Sequence, residues 1–445
     1  MGKNVFAGTG ISKNEDSYKA GREAVEMAIK NAGKNPDFGI VFCSSKFDVN
    51  KLVKGAHEAF THANPDVKWM GCTTAGEISN YGITEGSCVV LAVQSDYIHV
   101  GIGISEEAIK NPRKAGITAT TNALDDMKLD KYIDGYIQYI ATKKRKAIEL
   151  VKLRPYNFFI LSPGTSLDTN VAGDDIIEGI TDVAGKFVPV AGGYAGDDTK
   201  LQGTHQFANG KVYKEALIAL AGIFNVETSH SFLHNLVPYD EGVIVTKSSD
   251  YVVNEVNNKA ACEELERLTG RKISRIPPKP LLKIGKYAAK LGALDTVEFM
   301  KNSSLMPFGI SDVTGTFWIR LTKSVGPKNS VEFLNKIPEL VVLRKMKLDE
   351  KEMEKVDRET LEYFNNALSS PAFILLMECA TRKILLGQKR FEEMFEKDKK
   401  LFSSTPMIGF FTYGEYGVSP KSLNGQFMLT NVGFGVGNRL ISEVK

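Results

Sequence analysis

The sequence predicts an α/β protein of two related domains with mixed sheets, and three observations carry that expectation. Short apolar runs of strand length alternate with stretches of helical periodicity along the chain. Strand–helix–strand units with similar loops occur more than once. The composition is that of a packed globular chain, 43% hydrophobic and 24% charged over 445 residues, long enough for two or three domains.

Taken in order, Asp16 to Ala32 reads as a helix with Ala20, Ala24, Met27 and Ala28 on one face. Phe38 to Cys43 is a buried strand after Pro36. Val49 to His62 is a helix, and Val67 to Met70 a strand that runs into a glycine–threonine loop. Cys88 to Ser95 and Ile98 to Ile104 read as paired strands, and Ala108 to Met127 as a helix. Phe158 to Leu161 and Phe187 to Val190 are further strands. Asn209-Gly210 between two apolar stretches signals a hairpin. The pattern resets near residue 225. Gly242 to Thr246, Tyr251 to Val256 and Thr316 to Leu321 read as strands. Ala260 to Leu268, Asp349 to Leu368 and Lys383 to Glu396 read as helices, the last between the strands Phe373–Cys379 and Met407–Phe411.

The repeat is visible in the loops. Gly71-Cys-Thr-Thr-Ala-Gly-Glu77 and Gly409-Phe-Phe-Thr-Tyr-Gly-Glu415 share glycine, threonine, glycine and glutamate at matching positions, each after a strand–helix–strand unit. A weaker third copy, Phe158 to Asp198, has the loop Ala191-Gly-Gly-Tyr-Ala-Gly-Asp197. Glycine permits positive φ or close backbone approach, and such loops in open α/β sheets are where ligands bind. A plain reading makes Gly-acid a tight turn with an exposed carboxylate; recurrence after Gly76, Gly196 and Gly414 shifts the balance toward function.

Several function classes are excluded or left without support. Lys+Arg is 56 and Asp+Glu 53, a net charge of +3, so bulk charge does not suggest nucleic-acid binding. Two basic runs, Lys143–Lys146 and 271–290, read as solvated segments, and the latter has a single aromatic, Tyr287, for base stacking. No apolar run approaches the roughly 20 residues of a membrane span, and the N-terminus lacks a signal-peptide core, so the expectation is a cytoplasmic protein without membrane insertion. The 5 cysteines form no C-x-x-C pair, consistent with reduced thiols. No nucleophile elbow, zinc-protease motif, complete dinucleotide loop or phosphate loop is present; Gly8-Thr-Gly10 and Gly101-Ile-Gly103 read as turns. The 6 histidines offer no zinc set, and no cofactor is predicted. A single histidine as a haem ligand is the alternative.

The loops named above, with Gly192-Gly-Tyr-Ala-Gly-Asp-Asp198 and Val245-Thr-Lys, resemble the FIST domain proteins, named for F-box and intracellular signal transduction. The resemblance covers nearly the whole chain. It implies a lead-in helix over 1–34, an N-terminal FIST domain over 35–225 and a C-terminal one over 226–445. It further implies a sensory module that binds a small ligand, with amino acids proposed. Family members occur alone or fused to signalling domains, and some are described as haem-binding nitric-oxide sensors. No fused transmitter is recognisable here, so an output partner is expected to be a separate chain.

The expected ligand site follows. Glu77, Asp197 and Glu415 are candidates to accept an ammonium group. Thr73, Thr74 and Thr412 supply hydroxyls, Gly76, Gly192, Gly193 and Gly414 supply backbone, and Tyr413 an aromatic wall. Cys72 is expected to be partly exposed, as a ligand contact, a redox group or a small loop residue. Arg382 is placed either on a ligand carboxylate or in a salt bridge to Glu378 or another exposed acid, with Arg320 the next cation to consider. An enzyme acting on a small polar metabolite is the alternative, requiring a perturbed carboxylate or a Cys72 thiolate in a closed pocket. A pure interaction scaffold is a further alternative.

Overall fold

The structure, a computed structural model, describes residues 3–127, 156–166, 170–273, 307–402, 404–420 and 423–441. The basic run 143–146 and most of the basic segment 271–290 lie outside the described residues.

The chain is built from one unit used three times. The first unit is β1 (Phe6–Ser12), α1 (Ser17–Ala32), β2 (Phe38–Ser44), α2 (Val49–Ala63), β3 (Lys68–Thr74), the hairpin β4 (Glu77–Ser79) and β5 (Gly82–Thr84), and β6 (Cys88–Gln94). The second is β7 (Ile98–Ser105), α3 (Pro112–Asp126), β8 (Tyr156–Ser162), α4 (Gly173–Ala184), β9 (Val190–Tyr194), the hairpin β10 (His205–Ala208) and β11 (Lys211–Lys214), and β12 (Leu217–Phe224).

The third unit opens with β13 (Val226–Leu233) and is interrupted by an insertion. The inserted elements are β14 (Val237–Ser249), β15 (Val252–Val256), β16 (Lys259–Ala260), α5 (Ala261–Thr269), β17 (Pro307–Ser311), β18 (Phe317–Val325), β19 (Val331–Phe333) and β20 (Val342–Lys347). The unit resumes with α6 (Glu350–Ala367), β21 (Pro371–Cys379), α7 (Ala380–Leu386), α8 (Gln388–Asp398) and β22 (Met407–Thr412). It ends with the hairpin β23 (Glu415–Val418) and β24 (Asn424–Phe427), and β25 (Asn431–Leu440).

The units are not laid end to end. Each contributes four strands to its own mixed sheet and sends its hairpin to a neighbour's. The sheet orders are β1-β6-β2-β3-β10-β11, β7-β12-β8-β9-β23-β24 and β13-β25-β21-β22-β4-β5. The second unit's hairpin thus completes the first sheet, the third completes the second and the first completes the third, a closed cycle. In every unit the two strands flanking the second helical segment pair parallel and the other neighbours antiparallel. The weak third copy in the sequence is the middle unit of this cycle.

Period-2 alternation fixes what each sheet buries. Phe38, Ile40 and Phe42 of β2, Phe159 and Leu161 of β8, and Phe373, Leu375 and Met377 of β21 belong to one central core shared by all three sheets. Phe42 meets Phe410 with ring centroids 4.3 Å apart, and Phe38 meets Phe373 at 6.3 Å. The opposite faces take the helices: Val41, Cys43 and Trp69 pack with Ala24, Leu52 and Phe60. Asp16 and Asp48 cap α1 and α2 by accepting the N–H groups of Lys19 and Lys51.

The glycine pairs read as turns from sequence lie inside strands. A Cβ on Gly10 of β1 would stand 2.0 Å from the Ala24 carbonyl oxygen, and one on Gly103 of β7 2.0 Å from that of Ala119. They are glycines because a helix backbone rests directly on the strand. The strand expected at Phe187–Val190 begins at Val190, with Phe187 exposed. The helix expected over Lys383–Glu396 is two helices broken at Gly387, whose φ of 85° is unsuited to helix.

The inserted strands form a sheet of order β14-β20-β17-β18-β19-β15-β16, and β14 also pairs with β15, so the ladder closes on itself. It has its own core, including Val243, Val253, Phe308, Val331, Phe333 and Leu343.

Candidate functional site

The glycine–threonine loops are the points where the hairpins cross between sheets, and their side chains are spent on those crossings. Glu77 opens β4 and is fully buried. The Thr74 hydroxyl bonds one carboxyl oxygen at 2.5 Å, and the N–H and hydroxyl of Ser87 bond the other at 3.1 and 2.6 Å. Glu415 opens β23 in the same cage: Thr412 hydroxyl at 2.5 Å on one oxygen, Thr430 N–H and hydroxyl at 3.2 and 2.8 Å on the other. Burial pushes both carboxyls up to about 7, against the pull of these hydrogen bonds. With both oxygens bonded and no exposure, neither carboxyl presents a free oxygen to an ammonium ligand.

Asp197 is not the third member of this set. The loop after β9 is longer, and the place corresponding to Glu77 falls to Gln206 of β10. Gln206 pairs with Cys72 as Glu77 pairs with Phe410. Its carboxamide oxygen accepts the Ala216 N–H at 3.0 Å, and its nitrogen donates to Thr204 Oγ1 at 3.2 Å. Asp197 instead holds the extra loop. It accepts the N–H groups of Leu201, Gln202 and Gly203 at 2.7 to 3.0 Å and the Tyr413 hydroxyl at 2.5 Å. It borders a surface cleft of about 440 Å³ that also includes Ser45, Lys200, His205 and Lys214.

The remaining expected residues are placed as follows. Cys72 is wholly buried in β3, not partly exposed, and burial pushes its thiol well up, away from a reactive thiolate. The Thr73 hydroxyl accepts the His205 N–H at 3.0 Å, pinning the crossing hairpin. Gly76 sits at φ 126° in the turn from β3 to β4. Gly192 and Gly193 pair with Tyr416 and Glu415, and a Cβ on Gly193 would stand 2.6 Å from the Thr412 methyl. The Gly414 carbonyl accepts the Tyr194 N–H at 2.8 Å.

Arg382 is fully buried in an ion-pair network. It pairs with Glu378, donates to the Met353 carbonyl at 2.6 Å and lies 3.4 Å from Asp357, while Asn431 bridges Glu378 and Asp357. Of the two placements read from sequence, the structure has the salt bridge.

A different set of polar groups converges where the second unit, the crossing hairpin β23–β24 and the inserted sheet meet. Tyr194 ends β9 at the position of Thr74 and Thr412 in the other units. Its ring lies 5.0 Å from that of Tyr416, whose hydroxyl donates to Ser162 at 3.0 Å. The Tyr194 hydroxyl is buried without a hydrogen-bond partner among the described residues. It faces Gly173, the first residue of α4, where a Cβ would stand 1.9 Å away.

Arg320 of β18 reaches in from the insertion. It donates to the Ile319 and Gln426 carbonyls at 3.2 Å each, and its Nε is buried with no partner among the described residues. Asn335 bonds the Gln426 side chain, leaving its own carbonyl oxygen likewise unpartnered. Asp174, in the first turn of α4, accepts the Lys336 N–H at 2.8 Å. Burial raises its carboxyl and Arg320 opposes the rise; burial also lowers the Arg320 guanidinium.

The insertion is fastened to α4 beside this set. Lys336 bonds Asp175 at 2.5 Å and Glu178 at 2.9 Å, and the Tyr251 hydroxyl donates to Asp175 at 2.8 Å. Of these groups only Arg320 was named from the sequence. The others carried one legible signal, the aromatic Tyr194 where the repeat has threonine. Among the described residues no three His, Cys, Asp or Glu side chains cluster as metal ligands, and no described helix is long and apolar enough to cross a membrane.

Two domains of one family match the chain in tandem. The FIST N domain matches residues 37–259 and the FIST C domain residues 286–418. FIST domains are associated with signal-transduction sensors. No curated protein matches the chain. Among solved structures, a cyanuric acid hydrolase from A. caulinodans aligns over 98% of this chain and 99% of its own, at 7% identity and a TM-score of 0.36. Phosphoribosylformylglycinamidine synthase II from Thermotoga maritima aligns over 97% and 72%, at 10% identity and a TM-score of 0.20. The two domain matches together span most of the sequence, and the chain belongs to the FIST family.

Proposed function

We propose that this protein is a sensor that takes up a small polar ligand where Tyr194, Arg320, Asn335 and Asp174 meet. The observation that carries the reading is the unpartnered buried polar atoms of the first three. A buried donor or acceptor without a partner costs about 1–3 kcal/mol, so three at one junction point to a group that completes them. The poles are of opposite sign. Arg320 offers its unpartnered Nε to a carboxylate, with the Tyr194 hydroxyl as a second donor. Asp174, beside Arg320, supplies the acceptor for an ammonium group. That pairing supports an amino acid or a similar zwitterion. The insertion supplies Arg320 and Asn335 and is tied to α4 through Lys336 and Tyr251, so ligand in the junction bears on the contact between insertion and second unit. A separate signalling chain would read that contact.

The test is a thermal-shift and calorimetric screen of the full chain against the amino acids and their decarboxylated and deaminated analogues. At about 100 times its dissociation constant a ligand adds roughly 2.7 kcal/mol of stability. A zwitterion is expected to bind, with both single-pole analogues weaker and Tyr194→Phe weakening it about tenfold. Binding that Tyr194→Phe and Arg320→Met both leave untouched would place the ligand elsewhere and sink the proposal.

A further inference from the structure

The three crossing hairpins are held by the same device with one chemical difference. At each crossing, the backbone N–H just before the unit's last strand donates to a side-chain oxygen on the hairpin: Ser87 to Glu77, Ala216 to Gln206 and Thr430 to Glu415. The second polar atom of that side chain meets a threonine hydroxyl: Thr74, Thr204 or Thr412. In Gln206 that second atom is an NH₂ group, so it is necessarily a donor to the threonine oxygen. The place therefore accommodates a neutral side chain that accepts on one side and donates on the other. A protonated carboxylic acid has the same pattern.

The threonine hydroxyls at the two glutamates have somewhere else to donate if the proton is on the acid. Thr74 Oγ1 lies 3.4 Å from the Cys43 carbonyl oxygen, and Thr412 Oγ1 lies 3.3 Å from that of Glu378. The chain acid to hydroxyl to carbonyl is then complete in both cages. We propose that Glu77 and Glu415 are held as neutral carboxylic acids and act as two proton-operated latches on the hairpins β4–β5 and β23–β24, while Gln206 is a permanent latch on β10–β11.

The charged surroundings fit this assignment. Around Glu77 stand the Asp198 carboxylate and the Cys43 and Cys88 thiols. The Lys383 ammonium is engaged nearby with the Ala75 carbonyl at 2.8 Å and Glu85 at 3.0 Å. Around Glu415 stand the Cys379 thiol and, on the same strand, Glu378, which Arg382 neutralises. No cation bonds either carboxyl among the described residues. Glu415 directly precedes Tyr416, and its hairpin also carries Gln426, so this latch adjoins the junction described above. The latch itself stands without any ligand being bound there.

The direction of the pH effect is fixed. The folded-state carboxyls titrate near 7 and the freed ones near 4.5, so each latch is fully effective below about 4.5. It weakens as pH rises to about 7 and changes no further above. Opening of the two hairpins should increase by up to about tenfold per pH unit across that window, for one proton each.

Hydrogen exchange of the full chain, read by mass spectrometry and corrected for intrinsic rates, tests this between pH 5 and 8. Residues 77–84 and 415–427 are expected to lose protection up to pH 7 and then level off, with 205–214 unaffected. Glu77→Gln and Glu415→Gln should abolish the dependence in their own hairpins, and Gln206→Glu should confer it on β10–β11. Infrared spectroscopy at pH 6 should show protonated-carboxyl bands that the two Gln variants remove. Ionised Glu77 and Glu415 at pH 6, or Gln variants whose hairpins are looser than wild type at every pH, would overturn the proposal.

Discussion

The tilted rings of Tyr194 and Tyr416 lie 5.0 Å apart on different units of the chain; the Tyr416 hydroxyl donates to Ser162, while among the described residues the Tyr194 hydroxyl has no hydrogen-bond partner. Removing the two hydroxyls should therefore have opposite consequences. Tyr416→Phe is expected to lower stability by roughly 0.5–1.5 kcal/mol, the net worth of one hydrogen bond. Tyr194→Phe should be neutral or stabilising in the ligand-free protein. Urea unfolding of both variants checks this, and equal losses would show that Tyr194 has a partner after all.

Arg382 is the hub of the buried charge network. Arg382→Met leaves the Glu378 and Asp357 carboxyls buried without their cation. The expected loss is roughly 3–5 kcal/mol. Arg382→Lys should recover only part of it, because an ammonium lacks the planar fork that reaches Glu378, Asp357 and the Met353 carbonyl together. Chemical denaturation midpoints of the pair measure the difference.

Close packing of strand on helix makes a sharper test of the repeat. Gly10→Val and Gly103→Val each force a side chain into a helix carbonyl 2.0 Å from the Cβ. Each should destabilise by about 3 kcal/mol or more, the upper end of overpacking. Gly270→Ala, at φ 67° with open space around its Cβ, should lose only about 1–2 kcal/mol from backbone strain. If all three behave alike, the contact geometry is not what selects glycine in the strands.

His234 sets an acid limit. The Leu236 N–H donates to its Nδ1 at 2.9 Å, and its Nε2 lies 3.0 Å from the Phe317 carbonyl oxygen, which fixes a neutral imidazole with the proton on Nε2. Burial lowers its folded value to about 4 from 6.5. The unfolded chain binds the extra proton first, so this stability is present above pH 6.5 and is lost as pH falls toward 4. The full amount is on the order of 3 kcal/mol. His234→Gln should flatten the acid limb of a stability–pH curve. The glutamate latches slope the opposite way in an overlapping window, so the curves must be compared variant by variant.

Much of the fold was legible in the sequence because local pattern dictates it. Short apolar runs located β2, β3, β21 and β22, and Asn209-Gly210 marked the β10–β11 hairpin, whose turn has φ 47° and 86° at those residues. The matched loops ending in Glu77 and Glu415 identified two truly equivalent places, since the same cage requires the same residues. Partner choice was not legible. Nothing local states that a hairpin leaves its own sheet for another, because hydrogen bonding to β22 or to β3 uses identical backbone groups. For the same reason Asp197 was aligned with the two glutamates, when the extra loop moves the equivalent place nine residues on, to Gln206.

The sequence by itself determined the strand–helix–strand core of the repeated unit and the family. Only the tertiary structure decided which polar groups are spent and which are open. Glu77, Glu415 and Asp197 look available as letters and are saturated in three dimensions by neighbours up to 216 residues away. Tyr194, Asn335 and Arg320 are far apart in the sequence and come together where separate parts of the chain meet. The physical reason is that a hydrogen-bonding side chain is defined by its unmet capacity, and that capacity depends on the whole set of groups folded around it.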